Sequence, residues 1–142
     1  MKTVKELLQG KPKALCTVNP DTRVFEALKL MAEKDIGALL VVEGAKLAGI
    51  LSERDYARKV ILKGRSSKDT PIRDIMSAPV LTVTPHDTVN HCMKLVTDKR
   101  VRHLPVVEGG RVIGVLSIGD LVKAVIDDQA EQLEQLQRYI SG

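Results

Sequence analysis

A chain of 142 residues carries one ordinary domain's worth of core and is too short for two full-sized catalytic domains. Hydrophobic residues make up 44% of it, yet the aromatics are only Phe25, Tyr56 and Tyr139, which removes base stacking on aromatic platforms as a way to grip single-stranded nucleic acid. The net charge of +4 is uneven: residues 1–77 hold 15 Lys and Arg against 10 Asp and Glu, residues 78–142 hold 7 against 8.

Along the chain, Met1-Lys2-Thr3-Val4-Lys5-Glu6 lacks the apolar core and small-residue cleavage site of a signal peptide. No apolar run approaches the ~20 residues of a membrane span. Both observations lead us to expect a cytoplasmic protein with no membrane partner. Cys16 and Cys92 have neither CxxC spacing nor a His pair beside them, so they read as small buried hydrophobes rather than metal ligands.

From residue 17 onward the chain repeats itself. Thr17-Val18-Asn19-Pro20 returns as Thr82-Val83-Thr84-Pro85, and the same shift of 65 residues carries Leu39-Leu40-Val41-Val42-Glu43-Gly44 onto Leu104-Pro105-Val106-Val107-Glu108-Gly109 without a gap. Each copy opens with a short extended piece closed by Pro20 or Pro85. Val24, Ala27, Leu28 and Met31, and likewise Val89, Cys92, Met93 and Val96, recur at i, i+3, i+4, i+7 and predict an amphipathic helix. The Val- and Leu-rich runs 38–42 and 104–107, each followed by a Gly-containing turn and a second run at 47–51 or 112–116, predict hairpins. A closing helix is expected over 53–63 and from 118 onward.

The expected fold is therefore mixed α/β (α+β): two β-α-β-β-α units with a C-terminal helical extension. The division is an N-terminal segment 1–14, a first unit 15–63, a connector 64–79, a second unit 80–126 and an extension 127–142. A unit this small is marginal alone, so the two are expected to pack as one pseudo-twofold module. Lys63, Arg65 and Lys68 fall in the connector, which reads as solvated. In the extension, Ile126, Ala130, Leu133, Leu136 and Ile140 line one face, which predicts a homodimer contact.

The candidate chemistry lies in Gly49-x-x-Ser52-x-x-Asp55 and its twin Gly114-x-x-Ser117-x-x-Asp120. A glycine at a strand end permits close approach of another group, a helix starting at the serine attracts an anion, and an Asp one turn on can accept both hydroxyls of a ribose. Ser-x-x-Asp before an apolar helix is equally a capping box, in which the carboxylate folds back on the serine amide. Duplication in identical register weighs toward a ligand.

Taken together, Thr17-Val18-x-Pro20, Leu39-x-Val41-Val42-Glu43, Gly49-Ile50-Leu51-Ser52-x-x-Asp55, their shifted twins and Asp74-Ile75-Met76 resemble a tandem pair of CBS domains, the cystathionine β-synthase type regulatory module, over about residues 10–126. The resemblance implies a non-enzymatic sensor with two clefts that bind AMP, ADP or ATP, or in some members NAD or S-adenosylmethionine. It implies one cleft from Ile50, Ser52, Arg54 and Asp55 with Val80, Leu81, Val101, Arg102 and His103. The other would use Val115, Ser117, Gly119 and Asp120 with Leu15, Cys16, Ile36, Gly37 and Ala38. Arg54, Arg102 and His103 would then face phosphate at the Asp55 cleft, which is expected to take the more charged nucleotide or to bind more tightly.

Two other function classes make different demands on the sequence. An enzyme needs a nucleophile with its base, or a metal cluster, and the sequence offers only the scattered His86, His91 and His103 and no P-loop. Nucleic acid could meet the basic 54–73 stretch, where Arg54, Arg58, Lys59, Lys63, Arg65, Lys68 and Arg73 are opposed only by Asp55 and Asp69. Without an attached effector domain, a sensor of this kind is expected to act on a protein target in trans or to serve as a ligand-responsive unit by itself.

Overall fold

A computed structural model describes residues 2–10 and 15–141. The elements run α1 (Val4–Gln9), β1 (Thr17–Val18), α2 (Val24–Lys34), β2 (Ala38–Glu43), β3 (Lys46–Ser52), α3 (Glu53–Tyr56), a π-helical turn Ala57–Ile61, a 3₁₀ turn Ile72–Asp74, α4 (Val89–Lys99), β4 (His103–Glu108), β5 (Arg111–Ser117) and α5 (Ile118–Ser141). They form two compact units, Ala14–Leu81 and the pair Met1–Lys13 with Thr82–Gly142.

In the first unit β1 runs parallel to β2, and β2 pairs antiparallel with β3, Ala38 opposite Ser52 and Leu40 opposite Ile50. The second unit repeats the hairpin, His103 opposite Ser117 and Pro105 opposite Val115, with the same bulge one residue past Gly49 or Gly114's partner. Its first strand shrinks to the single parallel bridge Val83–Val106. The predicted β-α-β-β-α order is thus present, with one copy's opening strand reduced to a bridge.

Helices α2 and α4 bury the faces their spacing predicts: Val24, Ala27 and Met31 in one, Val89, Cys92 and Val96 in the other. Thr88 caps α4 through its hydroxyl, whereas α2 starts at Arg23 with no side-chain cap. Both helices end on a non-glycine residue in the left-handed region, Asp35 at φ 53° and Arg100 at φ 54°. Leu39, Val41 and Leu51 from the strands close the first unit's core with Val60, Ile72 and Ile75. Each such fully buried side chain stabilises by roughly 1.5–3 kcal/mol relative to exposure.

Two expectations need correction. The helix over 53–63 is α-helical only to Tyr56 and continues as the π turn, which brings Lys59 back toward Asp55. The connector exposes Lys63, Arg65 and Lys68 as expected, but it is no loose tether: Thr70, Ile72 and Ile75 are buried, and Arg65 pairs with Asp74 at 2.9 Å.

The N-terminal segment does for the second unit what the connector does for the first. The amides of Val4 and Lys5 donate to the carbonyls of Asp87 and Pro85, as those of Ile72 and Arg73 donate to Thr22 and Pro20. Val89 donates to the Lys2 carbonyl as Val24 donates to that of Thr70. Segments 2–8 and 70–76 are therefore structural equivalents. The long α5 carries the predicted extension without a break, and Ile126, Leu133, Leu136 and Ile140 along it are all more than half exposed.

Candidate functional site

Strand β3 ends at Ser52, whose extended backbone (φ −120°, ψ 162°) turns the chain into α3. The Ser52 hydroxyl accepts the Asp55 amide at 3.1 Å, and Asp55 Oδ2 accepts the Ser52 amide at 2.9 Å and the Ser52 hydroxyl at 3.0 Å. This is a complete capping box, so the motif performs its local structural role. The other oxygen, Oδ1, accepts the Ser77 hydroxyl at 3.0 Å and faces Lys59 Nζ at 3.1 Å. Asp55 is only 8% exposed, and a carboxylate in that position is stable only because these donors replace water.

The strand start assigned to a ligand lies beside this turn. After the left-handed Asp35, the Gly37 carbonyl accepts the Glu53 amide at 3.1 Å, and Ala38 stands opposite Ser52. Ile36 and Cys16 pack on the core, and the Cys16 carbonyl accepts the Leu40 amide at 3.4 Å. Leu15 is exposed, Arg54 points from the exposed side of α3, and Val80 and Leu81 are half-buried. Ile50 pairs with Ser77 through reciprocal backbone hydrogen bonds of 3.1 and 2.9 Å.

The second unit repeats the arrangement. Asp120 Oδ2 accepts the Ser117 amide at 2.8 Å, and the Ser117 hydroxyl accepts the Asp120 amide at 3.2 Å. The Arg102 carbonyl accepts the Ile118 amide at 2.9 Å, matching Gly37 and Glu53, and His103 stands opposite Ser117. Val101, Val115 and His103 are half-buried, while Arg102 and Gly119 are exposed. Within a unit, then, Ile36–Ala38 adjoin the Asp55 turn and Val101–His103 adjoin the Asp120 turn. The groupings expected from the resemblance draw on residues of both units.

The motif glycines permit the close approach expected of a glycine at a strand end. What approaches Gly49 closely is the chain itself: a Cβ there would stand 2.7 Å from Met76 Sδ and 3.0 Å from the Ser77 carbonyl oxygen. A Cβ on Gly114 would stand 2.6 Å from Leu8 Cδ2. Sequence reasoning also missed Lys59 and Ser77 as partners of Asp55. The i, i+4 spacing of Asp55 and Lys59 is a visible signal. Ser77, twenty-two residues on, carries none.

A family model described as CBS domain matches residues 4–62 and 72–127. The chain is 43% identical to the mitochondrial CBS domain-containing protein CBSX3 of Arabidopsis thaliana over 99% of its own length and 72% of that protein's. It matches the structure of a protein with CBS domains from Burkholderia ambifaria at 54% identity and TM-score 0.86, covering 90% of this chain and 96% of that one. The structure of CBSX2 in complex with AMP matches at 27% identity and TM-score 0.74, over 91% and 99% of the two chains. A hexameric CBS-CP12 protein from bloom-forming cyanobacteria matches at 26% identity and TM-score 0.77, over 98% and 86%.

Proposed function

Because the chain belongs to the CBS-domain family, with two matched repeats and a relative 43% identical across nearly its whole length, we propose that it is a non-enzymatic regulatory module that senses an adenosyl ligand. The observation that carries this is the duplicated turn: two strand ends, each leading through a serine into a helix whose first-turn carboxylate, Asp55 or Asp120, lies beside a second strand start. Asp55 and Asp120 are the ribose-facing carboxylates, and Arg54, Arg102 and His103 are the phosphate-facing groups. AMP is the first candidate, because a 27% identical structure holds it; ADP, ATP, NAD and S-adenosylmethionine follow.

The basic 54–73 stretch supports this reading over nucleic-acid binding. Lys59, Arg65 and Arg73 spend their charge on Asp55, Asp74 and Asp21, so the surface is less cationic than the composition suggests. Ligand binding is read out in trans by a protein target, with the exposed stripe on α5 joining two copies into a homodimer. Cys16 and Cys92, both unpaired thiols, are in keeping with a reducing, cytoplasmic compartment. Calorimetric titration of AMP into the full chain and its Asp55→Asn and Asp120→Asn variants tests the assignment. Each variant should remove one site, and AMP affinity unchanged in both would overturn the roles given to the carboxylates.

A further inference from the structure

Asp55 holds as many hydrogen bonds as a carboxylate can accept. Oδ2 takes the amide and hydroxyl of Ser52, and Oδ1 takes the Ser77 hydroxyl and Lys59 Nζ, which fills the four or so lone-pair positions the group offers. Lys59 is held there by a second bond of 2.9 Å to the Ile75 carbonyl, and Ser77 by its backbone pairing with Ile50. In the other copy the residue 65 positions after Lys59 is Ala124, and the equivalent of Ser77, counted along the matched segments 2–8 and 70–76, is Gln9.

We propose that Ser77 and Lys59 are internal competitors for the Asp55 carboxylate, so that a ligand binds there only by displacing them from Oδ1. The proposal rests on the adenosyl-sensing reading. A ribose engages a carboxylate by donating its vicinal 2′ and 3′ hydroxyls to it. Oδ2 keeps its capping bonds, and Oδ1 has room for a hydroxyl only when the Ser77 hydroxyl leaves. The exchange is hydroxyl for hydroxyl, so the ligand's net gain at Asp55 is small while Ser77 is present. Displacement also frees the strap Ile75–Ser77 from α3 and the π turn, because the Ser77 hydroxyl ties it to Asp55 and Lys59 ties it through the Ile75 carbonyl, leaving the Ile50–Ser77 backbone pair to hold it on β3 alone. Occupancy of the site thereby becomes a change in the segment between the two repeats. Ser77 and Lys59 are specificity-determining and positioning residues: they set how strong a diol must be to enter.

The test uses adenosine, which has the diol and no phosphate for Lys59 to attract, titrated into the full chain carrying Asp120→Asn. Adding Ser77→Ala should tighten adenosine about tenfold, the order expected for one charge-assisted hydrogen bond no longer opposed. The gain should vanish with 2′,3′-dideoxyadenosine. Lys59→Met is the second variant and should also tighten adenosine. In the parent chain, saturating adenosine should speed hydrogen exchange of the Ile50 amide, which donates to the Ser77 carbonyl. If adenosine binds in a manner lost with Asp55→Asn, but Ser77→Ala and Lys59→Met leave it unchanged or weaker, the competition is overturned and the sensing reading stands. If no variant binds adenosine or AMP at millimolar concentration, the sensing reading itself fails, and the competition with it.

Discussion

Leu8 fills the space that a side chain on Gly114 would need, its Cδ2 2.6 Å from where a Cβ would stand. Met76 stands in the same relation to Gly49. Gly114→Ala should therefore destabilise the fold by about 1–3 kcal/mol through overpacking. Pairing it with Leu8→Ala should cost less than the two single changes summed, measured by urea denaturation. Strict additivity would mean that the two residues do not meet. Gly49→Ala should be the harsher change, because the Ser77 backbone oxygen, at 3.0 Å, cannot turn aside as a side chain can.

Arg100 and Asp35 both adopt positive φ at the C-terminal ends of α4 and α2. Glycine removes the strain of that conformation at some cost in unfolded-chain entropy. Arg100→Gly should raise stability by about 0.5 kcal/mol, and Asp35→Gly by less, since aspartate tolerates this region. A lower denaturation midpoint for Arg100→Gly would contradict the expectation.

Cys92 is buried, and burial, with Asp87 nearby adding to it, pushes its thiol up to about 11. The thiol thus stays protonated in the fold while the unfolded chain's thiol ionises near its ordinary 9.0. The contribution is fully present below pH 9 and is lost as pH rises toward 11, because the unfolded state releases its proton first. In native protein at pH 8, iodoacetamide should label the half-buried Cys16 and spare Cys92, read by peptide mass spectrometry. Labelling of Cys92 at the same rate would contradict its burial.

The stripe on α5 should carry self-association. Leu133→Lys with Leu136→Lys exchanges two residues that are 60% and 55% exposed, so the folded chain should keep its stability while a dimer dissociates. Sedimentation equilibrium reads this directly. A mass unchanged by the double substitution would remove α5 from the interface.

Much of this was legible because the duplication is ungapped. The shift of 65 maps Ala38 opposite Ser52 onto His103 opposite Ser117, so one hairpin predicts the other down to its bulge. The burial of Val24, Ala27 and Met31 likewise follows from helical spacing. The equivalence of Thr3–Leu8 with Pro71–Met76 was not legible, because those segments match at a shift of 68 rather than 65 and share a pattern of apolar, basic and acidic residues without one identical position. The connector's ordering was hidden for a related reason: Ile72 and Ile75 are isolated among charges, and only the tertiary fold shows that they complete the core. At the site, the capping box and the ligand motif are the same letters. Sequence could name Asp55 but not the hydroxyl, twenty-two residues away, that occupies it.

The most direct test of adenosyl sensing is native mass spectrometry of the gently purified full chain, before and after addition of AMP. Protein carrying the mass of an adenosyl compound, retained or taken up on adding AMP and diminished by Asp55→Asn or Asp120→Asn, is the predicted result. A bare polypeptide mass that millimolar AMP, ATP, NAD or S-adenosylmethionine does not change would contradict it.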